Sequence, residues 1–163
     1  MFFRRTSRPA PALSLALSAV RIEFSNSDEE SKKILVVDDD PVILKTLSFT
    51  LRTNGYQVVT ATDGAEAINQ VKQERPDLLI VDVFLAADPQ GCGALGWDAF
   101  QVSRWVRNLN CQAPVIIISG SDQPEYRQQT IAAGARGFLT KPIDSLLLLN
   151  AIGSLLSEKK PVS

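Results

Sequence analysis

The 163-residue chain contains no histidine. That absence removes Ser-His-Asp and Cys-His catalysis, His-ligated zinc and any role as a phosphohistidine carrier. Polar chemistry in this chain must therefore be run by carboxylates, hydroxyls and lysine. Cysteine is scarce as well. Cys92 and Cys111 have neither metal-ligand spacing nor the density of a disulfide framework, so free thiols in a reducing compartment are expected. An excess of charge is also missing: the formal net charge is −1. The basic residues of 1–31 (Arg4, Arg5, Arg8, Arg21) are matched by Glu23, Asp28, Glu29 and Glu30, so the rest of the chain is close to neutral. Such a domain carries no electrostatic footprint for nucleic acid. No apolar run is long and unbroken enough to span a membrane.

What is present is the composition of a globular domain. The chain is 45% hydrophobic and 21% charged, which is enough apolar residue for one sizeable core. Residues 1–31 read differently. Arg4, Arg5 and Arg8 lead into PAPALSLALSAV, no acid precedes Glu23, and the polar stretch SNSDEES follows. This has some look of a secretory signal or an Arg- and Ser-rich transit peptide, which would direct the chain to an organelle. The preferred expectation is a disordered tail or a start placed too far upstream, since the remainder reads as a cytoplasmic domain.

From Lys32 onward strand and helix alternate. Residues 34–37 form a continuous apolar run ending in Asp38-Asp39-Asp40, as suits a central parallel strand. Asp40-Pro41 supplies an N-cap and an N1 proline, Ile43, Leu44, Leu47 and Leu51 follow at helical spacing, and Asn54-Gly55 ends the helix. Residues 57–61 are a short strand and 64–74 a helix, broken at Arg75-Pro76-Asp77. A second buried run, 78–81, ends at Asp82. A long loop from Phe84 to about Gly96 precedes a helix over 97–107, in which Trp97 and Trp105 are packing residues.

A third apolar run, 114–118, ends in Ser119-Gly120-Ser121. Asp122 and Glu125 have the spacing of a capping box for a helix closing at Gly134. Residues 137–140 form the last strand, ending in Lys141-Pro142. The final helix, 144–157, has four consecutive leucines, and these cannot all point inward. Five β/α units in series predict an α/β fold: a doubly wound, five-stranded parallel sheet with helices on both faces. The domain is expected over 32–157, with an N-terminal extension at 1–31 and a tail at 158–163.

In open α/β sheets the ligand site lies beyond the carboxyl ends of the strands. The residues there are Asp38 and Asp39, Asp82, Ser119 and Lys141. Several close carboxylates need a cation to stay ionised together, and an all-oxygen donor set suits a hard ion such as Mg²⁺. A carboxylate can act as a nucleophile to form an aspartyl-phosphate, while lysine and a hydroxyl hold the phosphoryl oxygens. This inventory points to phosphoryl transfer.

ILVVDDD, DLLIVD, PVIIISGS and GARGFLTKP, in that order, resemble the successive signatures of the response-regulator receiver family. The likeness spans residues 32 to about 157 and implies the flavodoxin-like receiver fold. It implies that Asp82 is the phospho-acceptor and that Asp38 and Asp39 join it at a Mg²⁺ site completed by the backbone carbonyl of Phe84. Ser119 would be the switch hydroxyl, Gly120 would leave access for a phosphodonor or water, Lys141 would pair with the phosphoryl group, and Phe138 would be the switch aromatic. It also implies a cis Lys141-Pro142 bond. The sequence departs from the family where FLAADPQGCGAL replaces the usual short turn after the acceptor, an insertion of roughly half a dozen residues. Because this loop borders the metal site, it bears on the rate and lifetime of phosphorylation.

The resemblance implies a stand-alone, single-domain phospho-accepting module, not an enzyme beyond its own phosphorylation and dephosphorylation. Its partners would be a sensor histidine kinase or phosphotransfer protein and a separate downstream protein, with no nucleic acid and no membrane. Two alternatives stand beside it. Asp38-Asp39-Asp40 also satisfies the D-x-D of haloacid-dehalogenase-like phosphatases, with Asp38 as nucleophile and Asp40 as acid/base, although Asp82 would then have no role. The other alternative is a receiver-shaped scaffold that is never phosphorylated.

Overall fold

A computed structural model describes residues 31–85, 98–109 and 111–158. Five strands alternate with five helices: β1 (Lys33–Val37), α1 (Pro41–Thr53), β2 (Gln57–Ala61), α2 (Gly64–Glu74), β3 (Leu78–Asp82), α3 (Ala99–Asn108), β4 (Val115–Ser119), α4 (Pro124–Ala132), β5 (Gly137–Thr140) and α5 (Ser145–Ser157). The strands form one sheet in the order β2-β1-β3-β4-β5, and every pairing is parallel. The expected doubly wound α/β architecture is therefore present.

The period-two geometry of strands explains how continuous apolar runs serve two cores at once. In β1, Leu35 and Val37 face α2 and α3, meeting Ala67, Val71, Val102 and Val106. Ile34 and Val36 face the other way and pack with Leu44, Leu47 and Leu51 of α1 and with Leu148 and Ile152 of α5. Residues of β3 and β4 divide in the same manner. Full burial of each such aliphatic side chain contributes about 1.5–3 kcal/mol, so these central strands dominate the hydrophobic driving force.

Helix starts follow the expected chemistry with two adjustments. Asp40 accepts from the Val42 N–H ahead of α1, and Asp144 accepts from Leu146 and Leu147 ahead of α5. Asp63 accepts from the Glu66 N–H while Glu66 reaches back to the Thr62 N–H, a reciprocal cap for α2. The third helix begins at Ala99 rather than residue 97, because Asp98 caps it by accepting from the Gln101 N–H. The fourth departs further: its cap residue is Gln123, which makes no side-chain cap hydrogen bond, with Pro124 starting the helix. Asp122 instead accepts from Arg127, so the expected capping box does not form. A proline at the first helical position fixes the start there, and the guanidinium competes successfully for the carboxylate.

Phe84 and Asp98 form an isolated antiparallel bridge. Residues 86–97, with Cys92 and Trp97, lie outside the described residues, as do 1–30 and 159–163. Trp105 packs against the core. Of the leucine run, Leu148 is buried while Leu146 and Leu147 are exposed. No helix among the described residues is long and apolar enough to cross a membrane.

Candidate functional site

The strand order reverses between β1 and β3, the place where open α/β sheets leave a crevice at their carboxyl edge. Asp38 follows β1 directly and Asp82 is the last residue of β3, so the topology sets two carboxylates side by side. Asp38 is 1% exposed and Asp82 6%. Asp39, the next residue along, stays exposed, yet one oxygen from each of the three carboxylates lies within 4.8 Å of the others.

Lys141 enters from the end of β5. Its Nζ donates to Asp38 Oδ2 and to Asp82 Oδ2, both at 2.9 Å. The sheet aims this side chain: Ser119 pairs in register with Thr140, and the Lys141 N–H donates to the Ser119 carbonyl at 2.8 Å. The Lys141-Pro142 bond is cis, as the resemblance implied. Asp38 Oδ1 accepts from the Asp40 N–H at 2.9 Å, and Asp82 accepts from the backbone N–H of Phe84. Ser119 is fully buried, and its Oγ accepts from the Ser121 N–H at 3.1 Å.

Burial, and then the neighbouring Asp38 charge, hold the Asp82 carboxyl above its ordinary range, against the opposing pull of Lys141 and the Phe84 N–H. Desolvation works to lower Lys141, but its hydrogen bonds to Asp38 and Asp82 outweigh this and hold the ammonium above its usual value. Lys141 thus stays charged beside two buried carboxylates and the exposed Asp39. One ammonium cannot balance three carboxylates, and the residual charge is that of a divalent cation's counterion set. The donors are all hard oxygens, so they fit Mg²⁺ held by carboxylates and water.

The structure thus brings together Asp38, Asp39, Asp82 and Lys141, and ties Ser119 to them through the backbone. Asp40, which the phosphatase alternative requires as acid/base, is exposed and has one carboxylate oxygen engaged in capping α1. Phe138 sits on β5 in register with Ile117 and packs partly into the core, apart from the carboxylates. Two residues of α4 carried no sequence signal. Tyr126 of α4 meets the exposed Phe84 ring edge-on at 5.7 Å and stacks with Phe100 at 6.4 Å. Arg127, the next residue, lies 5.0 Å over the Phe138 ring.

A family model described as the response regulator receiver domain matches residues 34–153. Response regulator MprA of Mycobacterium leprae is 34% identical over 129 residues, covering 79% of this chain and 53% of that relative. The Mycobacterium avium protein of the same name is 33% identical over 129 residues with the same coverage. The chain spans about half the length of the relatives it matches (53%). Among solved structures, the Vibrio cholerae chemotaxis protein CheY4 aligns with a TM-score of 0.68 and 31% identity, over 77% of this chain and 98% of that one. A CheY-like receiver domain from Methanospirillum hungatei aligns with a TM-score of 0.70 and 26% identity, over 78% and 95%.

Proposed function

Since the chain belongs to the response regulator receiver domain family, whose members are signalling modules of two-component systems, we propose that it accepts a phosphoryl group on Asp82 and signals by the change of surface that follows. The observation that carries this reading is the paired contact of Lys141 with Asp82 and Asp38 at the switch point of the sheet.

The donor is a phosphohistidine of a sensor kinase or phosphotransfer protein, or a small acyl phosphate. A carboxylate oxygen of Asp82 attacks phosphorus, the bond from phosphorus to the donor atom breaks, and the leaving group takes that electron pair. Asp38, Asp39, Asp82 and the Phe84 carbonyl would hold Mg²⁺, which when bound supplies positive charge to the transferring oxygens. Lys141, already paired with Asp82, shifts onto a phosphoryl oxygen. The Ser119 hydroxyl exchanges its bond with the Ser121 N–H for one to the phosphoryl group, and Phe138 responds on β5. Gly120 leaves open space beside this hydroxyl.

The receiver domain is taken as residues 32–157 of a cytoplasmic protein, and a downstream effector reads the changed surface. In the presence of Mg²⁺ and acetyl phosphate, intact-mass measurement should find one phosphoryl group on the wild type and none on Asp82→Asn. Equal labelling of the variant would remove Asp82 from its role, and no labelling of either would leave the unphosphorylated scaffold. Sustained turnover of a phosphomonoester would restore the phosphatase.

A further inference from the structure

Helix α4 is the least buried of the five described helices. Of its residues only Thr130 is buried, and its capping residue gives no side-chain hydrogen bond. Its sequence has no apolar face to hold it on the sheet. Particular side chains do that work, Tyr126 and Arg127 among them. Tyr126 packs between Phe84 and Phe100. Arg127 lies over the face of Phe138 with its Cζ 5.0 Å from the ring centroid. Its Nε donates to Asp122 Oδ1 at 2.6 Å.

Asp122 belongs to the loop that starts at Ser119. Within that loop the Ser119 Oγ accepts from the Ser121 N–H at 3.1 Å. One short segment therefore carries both the buried hydroxyl next to the site and the carboxylate that holds the guanidinium on Phe138. We propose that Arg127 is a latch: clamped by Asp122, it holds α4 and the Phe138 ring in the unphosphorylated arrangement and lets go when the Ser119 loop moves. This rests on the reading that Ser119 moves toward a phosphoryl group on Asp82. When Ser119 turns, it gives up the Ser121 N–H, the loop shifts with Asp122, and the guanidinium loses its fixed seat on the ring.

A contact made in only one of two states opposes the shift to the other by its own free energy. A partly exposed cation–π contact with a surface ion pair is small, so its removal should change the equilibrium modestly. With beryllofluoride and Mg²⁺ as the phosphoryl mimic, followed by the fluorine NMR of the bound species, Arg127→Ala should bind about two- to fivefold tighter than wild type. Asp122→Asn should move in the same direction by a smaller factor, and Arg127→Lys should retain part of the hold. In the free protein the Arg127 Nε–H resonance should be displaced by the Phe138 ring current, and the displacement should vanish when beryllofluoride binds.

Equal or weaker binding by Arg127→Ala, while the wild type shows bound fluorine signals, overturns the latch and leaves the acceptor reading intact. Persistence of the displaced resonance in the bound protein does the same. Absence of bound signals from both proteins overturns the acceptor reading, and the latch with it.

Discussion

The centre of the sheet and the α4–β5 side are built on different terms. Strands β3 and β4 are buried along their whole length, and β1 is buried at every position but its first. Strand β5 is only partly buried throughout, and α4 buries a single threonine. The packed centre is where Asp38 and Asp82 are held, and close packing gives them fixed positions. The sparsely packed side carries Phe138, Tyr126, Arg127 and the loop leaving Ser119. Fixed position is thus supplied by one region and looser packing by the other, which is what the proposed module, binding a small group and changing its surface, requires.

The largest difference should appear in stability. Ile116→Ala, in the middle of β4, should cost about 3–4 kcal/mol in urea unfolding, whereas Ile131→Ala on α4, 77% exposed, should stay within about 0.5 kcal/mol. Similar costs at the two positions would erase the contrast.

Lys141 sits where the two regions meet, at the end of β5 but in contact with the carboxylates of the centre. Lys141→Ala should slow labelling by acetyl phosphate roughly 100-fold, the scale of losing one positioned donor on a developing charge. A rate within about threefold of wild type, far short of that loss, would place the phosphoryl contact elsewhere.

A smaller effect concerns the charge stored in the packed centre. Asp82 is raised above 3.8 in the folded protein, so its ionised form is disfavoured there. Without metal, wild type should match Asp82→Asn below that pH and become less stable as pH rises through the raised value. Mg²⁺ should reverse the difference at neutral pH by binding the wild type more tightly. Lys141 acts in the same direction at higher pH: its contribution is full below 10.5 and is lost as pH climbs past its raised value. Denaturation midpoints across pH, with and without Mg²⁺, check both signs.

Much of this arrangement could be read from the residues. Continuous apolar runs ending in Asp38, Asp82 and Ser119 marked both the strands and the ends at which the candidate site gathers, because a parallel strand is buried on both faces and its carboxyl end is open. The order of strands was not legible from local pattern, since period and capping say nothing about which strands pair. The start of α4 was misplaced for a related reason. Asp122 and Glu125 have capping-box spacing, but Arg127 takes the Asp122 carboxylate, and that competition depends on where Phe138 lies across the chain. The seat of Tyr126 between Phe84 and Phe100 is tertiary in the same way. Residues that act through the backbone or through neighbours far apart in sequence leave no periodic trace.

The proposed acceptor of the phosphoryl group is Asp82, and neither Asp38 nor Asp39. Protein phosphorylated with acetyl phosphate and Mg²⁺ can be treated with borohydride, which reduces an aspartyl-phosphate to homoserine, and then sequenced by mass spectrometry. Homoserine at position 82 alone is the predicted result. Homoserine at position 38 or 39, or phosphorylated protein with none at all, would contradict it.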